Sequence, residues 1–502
     1  MIVACALFMQ NLDSTVIATA LPSIARSLHE DPLRLNLAIT SYLLSLAVFI
    51  PLSGWMADRF GARPVFCCAI AVFTLGSAGC GLAASLPQLI AARILQGMGG
   101  AMMVPVGRLV LLRTVPKSEL VRALAFLSLP ALLGPVLGPP LGGFIVTYSS
   151  WRWIFYINLP VGFAALVMTQ TFIEDPPYLL RTVLRRMDYW GLGFMALGLA
   201  TLQVVLDKGQ QVDWLAAEWI RWTLTISCVA MVAFIVRELV TDEPIVNLRI
   251  LGDRNFATGT VLITAMGVVL YGTTALLPLF LQTLLGYPAL EAGLATSPRG
   301  LGALLSAIVV GRLVGIVDSR ILVAGGFGFL ALSGVWLSRL TFDVAWSNIA
   351  FVTFLNGLAN PLIFIALSTM SFGTLRREQM GGATGIYNLM RNLGGSVGIS
   401  VATTLLARRA QVHQNVLVAR MTPYDPVYQQ KLEALRRALT PKVGPYLAGQ
   451  QAVGILYKTL VAQATLLAFV DNFRLITVLA ICSVPLVLLL KRVRARATPG
   501  AH

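Results

Sequence analysis

Apolar stretches long enough to cross a lipid bilayer recur along almost the whole of this 502-residue chain. An α-helix rises about 1.5 Å per residue, so roughly 20 apolar residues are needed to cross the hydrocarbon layer. We find about fourteen such stretches, near residues 3–24, 36–56, 64–83, 87–112, 121–147, 153–173, 188–206, 220–240, 256–282, 291–314, 321–338, 348–371, 384–406 and 469–490. They lack the strict polar–apolar alternation of barrel strands, and their backbone groups must bond internally in the absence of water. The stretches therefore predict membrane-spanning helices.

The composition agrees with a chain embedded in the membrane. Charged residues make up 12% of the chain and hydrophobic residues 57%, with a mean hydropathy of +0.78, whereas soluble domains contain about 25% charged residues. The six cysteines have no C-x-x-C spacing, the three histidines are not clustered, and no G-x-x-x-x-G-K-[ST] motif occurs. We therefore predict an all-α integral membrane protein, and we expect no disulfide, no metal, no cofactor and no nucleotide-driven pump.

A short polar segment between two apolar stretches recurs much later in the chain. Residues 54–66, GWMADRFGARPVF, have a similar segment downstream in residues 311–320, GRLVGIVDSR, and Asp58 matches Asp318 at a displacement of 260 residues. The same displacement pairs Leu95-Gln96-Gly97 with Leu355-Asn356-Gly357, Gly134 with Gly394, and Gly138 with Gly398. One displacement at three separate places predicts a duplicated bundle, and duplication is typical of transporters that work by alternating access.

The displacement predicts a six–two–six order of spans. The first six spans map onto the last six, and the two spans between about 188 and 240 fall outside the repeat. We therefore expect a first six-helix bundle over 1–174, two additional transmembrane helices with linkers over 175–255, and a second six-helix bundle over 256–502. The second bundle includes a long periplasmic loop, 408–468, which would be a docking surface or a cap. From about Gly449 we expect this loop to be a helix that leads into the last span. Both copies start on the same side of the membrane, so the repeat is parallel.

The net charge of +16 is concentrated in short loops on one side of the predicted bundle. These loops hold Arg59, Arg63, Arg113, Lys117, Arg122, Arg181, Arg185, Arg186, Arg237, Arg249, Arg254, Arg312, Arg320, Arg376 and Arg377, and the tail KRVRAR belongs to the same side. The opposite loops hold few: Arg26, Arg34, Arg152, Lys208 and Arg339. Because such residues mark the cytoplasmic face, we predict a multi-pass protein of the bacterial cytoplasmic (inner) membrane with both termini in the cytoplasm. Nucleic acid is not an expected partner, because the charge is dispersed and lacks interleaved aromatic residues.

Asp13 lies about halfway through the first apolar stretch, in FMQNLDSTVIATALP. A carboxylate at that depth costs several kcal/mol unless it is protonated, paired or in contact with a wet cavity. This position favours a proton carrier that is neutral when sequestered and ionised when a partner or water arrives. The alternative is a carboxylate that only packs helices together and never titrates. The residue 260 positions later is Thr273, so such an acid belongs to the first half alone.

Arg93 lies a short way into the fourth apolar stretch, in AARILQGMGGAMMVPV. A guanidinium keeps its charge inside the membrane, so it needs an anion, carbonyl groups or water as partners. Asp13 is the nearest acidic partner by depth. The alternative is an arginine whose side chain reaches back to the periplasmic surface.

Two glycine-containing segments are candidates for moving parts. In LLGPVLGPPLGGFI, we expect Gly134, Gly138, Gly142 and Gly143 to form one helix face without side chains, so that a neighbouring helix can approach closely. The prolines between them bend the helix, which adds a possible hinge or seal to this packing face. In the 54–63 segment, the glycines allow a tight turn. Asp58 is placed to cap a helix or pair with an arginine in one conformation only. The alternative for that segment is that its charges only set the topology.

The motifs LDSTVIATALP, GWMADRFGARP, RILQGMGGA, LGPPLGG and WRWIFYINLPVG together resemble the signature series of the major facilitator superfamily. More narrowly, the chain is similar to the fourteen-span drug:proton antiporters of that superfamily, the EmrB/QacA type. The later segments YPALEAGLATSPRG and GIYNLMRNLGGSVGIS fit the same pattern, and the outer loop ending in AQATLLAFVDNFR is most similar to the EmrB branch. The likeness covers essentially the whole chain. It departs where the first span lacks a preceding tail and where Ile17-Ala18-Thr19 replaces a Val-Asn-Val-like run, which leaves substrate contacts open.

This resemblance implies roles for the residues already singled out. Asp13 and Arg93 would be the proton-coupling pair; Gly54, Asp58, Arg59, Gly61 and Arg63 the cytoplasmic gating motif; and Gly134, Gly138, Pro139, Gly142 and Gly143 the antiporter motif. Further polar residues in the spans are candidates for the cavity wall: Gln96, Asn158, Gln282 and Asn388.

We therefore predict proton-coupled efflux of lipophilic or cationic drug-like molecules by alternating access. The expected partners are a small-molecule substrate, protons and the lipid bilayer, with a periplasmic membrane-fusion adaptor and an outer-membrane channel if the cargo is handed on. The alternatives are a proton-coupled importer of a small organic solute and an exporter of a specific endogenous metabolite. A membrane enzyme or scaffold lacks support, because the spans contain no His/Asp/Glu cluster and no nucleophile–base pair.

Overall fold

A computed structural model describes residues 2–114, 134, 136–173, 187–212, 214–242, 244–314, 316–376, 379–419 and 421–491. Within these ranges no β-strand forms, and the β-type pairing is an isolated bridge between Val314 and Val317. Eleven helices of this part are long and apolar enough to cross a membrane. The fold is therefore that of an all-α integral membrane protein.

The helices of the first part of the chain follow the predicted apolar stretches. They are α1 (Ile2–Leu28), α2 (Leu37–Phe49), α3 (Leu52–Phe60), α4 (Ala62–Leu82), α5 (Leu86–Thr114), α6 (Val136–Tyr148), α7 (Trp153–Tyr156), α8 (Asn158–Phe172), α9 (Tyr189–Lys208) and α10 (Glu218–Val240). The predicted span at 121–147 is described only at 134 and from 136 onward.

The second part of the chain is built in the same way. Its helices are α11 (Arg254–Leu279), α12 (Ala289–Thr296), α13 (Pro298–Leu313), α14 (Ser319–Leu337), α15 (Trp346–Phe372), α16 (Met380–Val418), α17 (Pro426–Val443) and α18 (Pro445–Val487). A π-helical turn, Phe280–Leu284, extends α11. About fourteen spans are consistent with this set, although length and apolar composition identify eleven.

Prolines divide some of the predicted spans. The span at 36–56 is interrupted before α3, where Pro51 is the N-cap residue. The span at 291–314 is interrupted between α12 and α13, and Pro298 is the first residue of α13. Proline has no N–H to donate and favours the first turn of a helix, so each break falls where a new helix can start.

The segment 408–468 is mostly helical in the structure and is not an irregular loop. Helix α16 continues to Val418, α17 follows, and α18 begins at Pro445, so the predicted helix leading into the last span is confirmed. Gly444 has a φ of 80° between α17 and α18, a left-handed conformation that glycine adopts without strain. None of the α17 side chains is buried, although the helix packs on α18.

The 260-residue displacement holds for the early helices and does not hold for the last one. Leu86 begins α5 and Trp346, 260 residues later, begins α15. Moving α8 by the same distance places it across 418–432, where α16 ends and α17 begins. The extended α16 and the added α17 therefore displace the sixth helix of the second half.

Three apolar clusters form the core. One draws mainly on residues 3–173, and a second draws on residues 262–490. The third joins Ala47 of α2, Met195 of α9, Phe234 of α10 and Ile386 of α16, so the additional helices pack where the two halves meet. The bounds of the three units remain a prediction.

Candidate functional site

The two charged residues predicted from depth in the membrane contact each other directly. Asp13 lies midway along α1, and Arg93 lies in the second turn of α5. Arg93 Nη1 donates a hydrogen bond to Asp13 Oδ2 at 2.6 Å, and the two side chains are 0% and 1% exposed. The predicted pairing is present in the structure. An arginine side chain that reaches the surface does not fit this geometry.

Two of the predicted cavity residues complete the surroundings of the carboxylate. Gln96 Nε2 donates to Asp13 Oδ1 at 2.9 Å, and Asn158 Nδ2 of α8 donates to the same oxygen at 3.0 Å. Gln96 Oε1 also accepts a hydrogen bond from Arg93 Nη1 at 2.7 Å. Gln96 and Arg93 are three residues apart and share a helix face. Asp13 thus accepts hydrogen bonds from three side chains.

The network extends to a fourth helix through Ser77 of α4, a residue that the sequence analysis did not identify. Asn158 Nδ2 donates to Ser77 Oγ at 3.0 Å, and Ser77 donates to the carbonyl oxygen of Phe155 at 2.9 Å. A single serine in an apolar helix shows no pattern, because serines often bond their own helix backbone. The carboxylate on α1 is consequently tied to α4, α5 and α8.

Arg93 is held from its other side by α2. Its Nε donates to the carbonyl oxygen of Ala38 at 3.0 Å, and its guanidinium lies 4.4 Å from the centroid of the Tyr42 ring. Arginine stacks on aromatic faces in this way and keeps its planar donors for other partners. Arg93 Nη2 and the Tyr42 hydroxyl are buried without a hydrogen-bond partner within the described part of the chain. Tyr42 was also missed by the sequence analysis.

Because Asp13 and Arg93 are buried as a pair, a change in the charge of one affects the stability of the other. A buried ion pair gains little over an apolar pair, yet removing one partner costs about 3–5 kcal/mol because the other charge stays buried. A proton on Asp13 has a related effect, since it leaves the permanently charged Arg93 without its anion. The role of this pair in proton coupling remains a prediction.

The glycines of the predicted antiporter motif face α1. A Cβ atom added to Gly142 would lie 2.5 Å from Thr19 Oγ1, and one added to Gly134 would lie 2.7 Å from Asn11 Cβ. A Cβ on Gly138 would overlap Thr15. The predicted close approach to α1 is confirmed for these three glycines. Gly143 was expected on the same face, but it is one residue beyond Gly142 and so points about 100° away, toward α12.

A second face of α6 contacts the other half of the chain. A Cβ on Gly143 would lie 2.5 Å from the carbonyl oxygen of Ala289 in α12. Gly293 of α12 in turn lies against the backbone of Pro139. Helix α6 is therefore wedged between α1 and α12. The role of this helix as a hinge or seal remains a prediction.

The predicted gating segment forms the junction of α3 and α4. Gly61 separates the two helices with a φ of 91°, which confirms the tight turn. The guanidinium of Arg59 lies 5.5 Å from the centroid of the Trp55 ring, and Arg63 Nη2 donates to the carbonyl oxygen of Gln170 in α8. Gly54 faces open space. The side chain of Asp58 lies outside the described residues, so its capping or pairing stays a prediction.

The other two predicted cavity residues lie away from Asp13. Gln282 Nε2 donates to the carbonyl oxygen of Thr19 at 2.8 Å and links the π-helical turn after α11 to α1. It lines a separate cavity of about 390 Å³ together with Arg26 and Tyr287. Asn388 donates to the carbonyl oxygen of Thr384 on its own helix at 2.9 Å. The structure therefore does not place either side chain in the Asp13 network.

A helical membrane bundle with a buried carboxylate–guanidinium pair is typical of secondary transporters. The chain belongs to the Major Facilitator Superfamily, whose family profile matches residues 3–399. Family membership establishes a multi-pass membrane transporter.

Known proteins of similar sequence and fold agree with this assignment. The chain is 33% identical over 470 residues to the multidrug export protein EmrB of Escherichia coli K12, which covers 93% of this chain and 90% of that protein. It is 33% identical over 490 residues to the fatty acid resistance protein FarB of Neisseria gonorrhoeae, covering 97% and 94%. The fold is similar to that of a bacterial homologue of the human lysosomal transporter Spinster in an inward-facing, occupied conformation. That comparison has a TM-score of 0.59 and 15% identity, and it covers 97% of this chain and 95% of that one.

Proposed function

We propose that the protein exports lipophilic or cationic drug-like molecules in exchange for protons. The observation that carries the proposal is the buried Asp13, which is bonded to Arg93, Gln96 and Asn158 at the meeting point of α1, α5 and α8. The names of the similar proteins, a multidrug export protein and a fatty acid resistance protein, support export of lipophilic compounds.

The proposed coupling step is the transfer of one proton to and from Asp13. A proton from outside neutralises Asp13 and weakens its hydrogen bond to Arg93. A substrate arriving from inside favours release of the proton to the cytoplasm. Each proton that crosses the full membrane potential releases about 2.3 kcal/mol per 100 mV, and the pH gradient adds to this.

The proposed conformational step uses the contacts of α1 with both halves. Helix α1 carries Asp13 and also packs on α6, α11 and α12. A change at Asp13 is therefore transmitted to the seam between the halves without an intervening loop. The glycine face of α6 lets this seam close tightly in one state, which is the function we assign to the antiporter motif.

The charge pattern is the basis for the proposed location, and helix α17 with the first part of α18 is the basis for the proposed further partners. We place the protein in the bacterial inner membrane with both termini in the cytoplasm, because the positive loops lie on that side. Helix α17, with no buried side chain, and the first part of α18 would then face the periplasm. This exposed surface is where a membrane-fusion adaptor would dock and hand the cargo to an outer-membrane channel; co-purification with such an adaptor tests the assignment.

The central test is Asp13→Asn in proteoliposomes that hold the purified protein and the lipophilic cation ethidium. Wild-type protein should move ethidium when a pH gradient is imposed, and Asp13→Asn should reduce this movement to that of empty liposomes. Asp343→Asn, which changes an exposed turn residue between α14 and α15, is the matched control and should retain wild-type rates. Normal gradient-driven transport by Asp13→Asn would contradict the proposal.

Measurements of flux distinguish the proposed export of drug-like molecules from two alternative functions. A proton-coupled importer would accumulate its solute in the direction of the proton gradient. An exporter of one endogenous metabolite would move that compound and leave ethidium unmoved. The similarity to a fatty acid resistance protein makes a lipophilic acid the first compound to compare with ethidium.

A further inference from the structure

A second polar cluster lies outside the Asp13 network, where α9 meets α16. Asp207, in the last turn of α9, accepts a hydrogen bond at Oδ1 from Ser400 Oγ of α16. Its Oδ2 accepts from Gln203 Nε2 at 2.7 Å. Ser396, one turn before Ser400, donates to Gln203 Oε1 at 2.6 Å and lies 3.5 Å from the carbonyl oxygen of Thr40 in α2. The cluster therefore joins one additional helix to both halves of the chain.

The hydrogen bonds of this cluster form a chain that ends at the Asp207 carboxylate. Ser396 donates to Gln203, and Gln203 Nε2 donates to Ser400 Oγ at 2.7 Å as well as to Asp207. Within the described part of the chain Asp207 forms no salt bridge. The charged group that acts on it electrostatically is the adjacent Lys208. Neutral donors thus support an ionised Asp207, and no contacting cation neutralises it.

Two other features oppose the charge on Asp207. The residue lies in the last turn of α9, where the negative end of the helix dipole disfavours an anion. It is also only partly accessible within a membrane-spanning helix, where a charged carboxylate loses hydration. The ionised form therefore depends on Ser400 and Gln203 remaining within hydrogen-bonding distance.

We propose that Asp207 is a second proton-binding site, separate from Asp13, whose proton affinity is set by the packing of α9 against α16. A proton on Asp207 removes an acceptor, so Ser400 must turn to another partner and the contact between the helices weakens. Any movement of α16 away from α9 removes the Ser400 donor and promotes proton uptake. The proposal goes beyond the proposed function, and Asp207 binds a proton whether or not ethidium is a substrate.

The test is infrared difference spectroscopy of the full-length protein in lipid nanodiscs, without substrate, as the pH is changed. The wild-type protein should show carboxylic-acid stretches of groups that protonate away from bulk water, and Asp207→Asn should lack one component of this signal. Asp13→Asn and the exposed control Asp343→Asn should retain it. Identical spectra for wild-type and Asp207→Asn would overturn the proposal.

A second variant keeps the test decisive if Asp207→Asn does not fold. Ser400→Ala removes a donor to the ionised carboxylate and keeps Asp207 in place. The midpoint of the same infrared signal should move to higher pH by about one unit, since a hydrogen bond to a charged group contributes about 1.5–3 kcal/mol. An unchanged midpoint would contradict the dependence on α16. The infrared experiment measures no transport. Normal ethidium transport by Asp13→Asn would contradict the proposed function, but it would not affect the infrared result.

Discussion

Individual residues of this transporter show how a buried charge is tolerated inside a membrane. Asp13 has hydrogen bonds from three side chains, and Arg93 has an anion, an amide oxygen, a backbone carbonyl and an aromatic face. Each group compensates for hydration lost by the other, so the pair is stable only as a pair. This mutual dependence is the basis of the proposed proton coupling.

A double-mutant cycle should reveal that dependence. Arg93→Met alone leaves Asp13 buried without its cation and should lower the free energy of unfolding by about 3–5 kcal/mol. Adding Asp13→Asn removes the remaining charge and should restore part of the loss, so the two effects are not additive. The free energies of unfolding of the single and double variants are measured by unfolding the purified proteins in mixed micelles with increasing dodecyl sulfate. Strictly additive losses would show that the two residues act independently.

A second ion pair, at the start of α9, should make stability depend on acid pH. Burial alone would raise the pKa of Asp188, but hydrogen bonds from Arg237 and from the Gly191 N–H outweigh it and hold the pKa below its ordinary value. The unfolded state then binds more protons near that value, so this contribution is present above about pH 4 and is lost as pH falls through the folded pKa.

The variant Arg237→Gln should reduce this acid dependence. Because the Arg237 side chain is 44% exposed, the effect should stay below about 1 kcal/mol. The measurement is the thermal unfolding midpoint of both proteins as the pH is lowered from neutral to acid. The difference between wild-type and Arg237→Gln should shrink as the solution becomes more acidic, and a growing difference would reverse the assigned sign.

At the scale of helices, α6 packs closely against its neighbours through glycines, which have no side chain. Helix α6 packs on α1 through Gly138 and Gly142 and on α12 through Gly143. In lipid, helices associate through such close packing because apolar side chains are equally satisfied by lipid tails. The same helix therefore touches both the element that carries Asp13 and the opposite half.

Adding a methyl group to this face should impair transport. Gly142→Ala places a Cβ 2.5 Å from Thr19 Oγ1, so α6 and α1 must separate, at a cost of about 1–3 kcal/mol. Ethidium transport should fall well below the wild-type rate. Gly193→Ala on α9 is the matched control, since a Cβ there meets nothing within 4 Å and should leave transport unchanged. Equal activity of the two variants would argue against a tightly packed seam.

At the scale of the whole molecule, the described helices form one apolar cluster drawn mainly from residues 3–173 and a second from residues 262–490, with α9 and α10 packed at their boundary. Contacts of α1 with α11 and α12, and of α2 with α16, join the halves directly. The α9–α10 pair packs at the α2–α16 seam through the third apolar cluster. Movement between the halves therefore involves the additional helices as well.

The orientation of the whole molecule can be measured with fusions. Alkaline phosphatase fused after Tyr424, between α16 and α17, should be active, because that enzyme folds only in the oxidising periplasm. Green fluorescent protein fused after the C-terminal tail should fluoresce in the cytoplasm. The positive loops on one side of the bundle are the physical reason. Inactive phosphatase at the first position would invert the proposed topology.

The pattern of residues along the chain was sufficient to predict the helical class, most of the spans, the family and the depth of Asp13 and Arg93. Apolar length and helix rise are local properties, so they can be read along the chain. The same local view predicted the close-packed glycines of α6 and the tight turn at Gly61.

Only the tertiary structure decided which polar groups meet. Asn158 reaches Asp13 from 145 residues away, and Ser77 and Tyr42 complete the site from two further helices. Gln282 and Asn388 looked equivalent to Gln96 in the sequence and lie elsewhere. In a membrane helix the face toward lipid and the face toward protein are both apolar, so hydropathy gives depth but not rotation. The rotation of each helix depends on packing against its neighbours, and this packing brings the acid and its donors together.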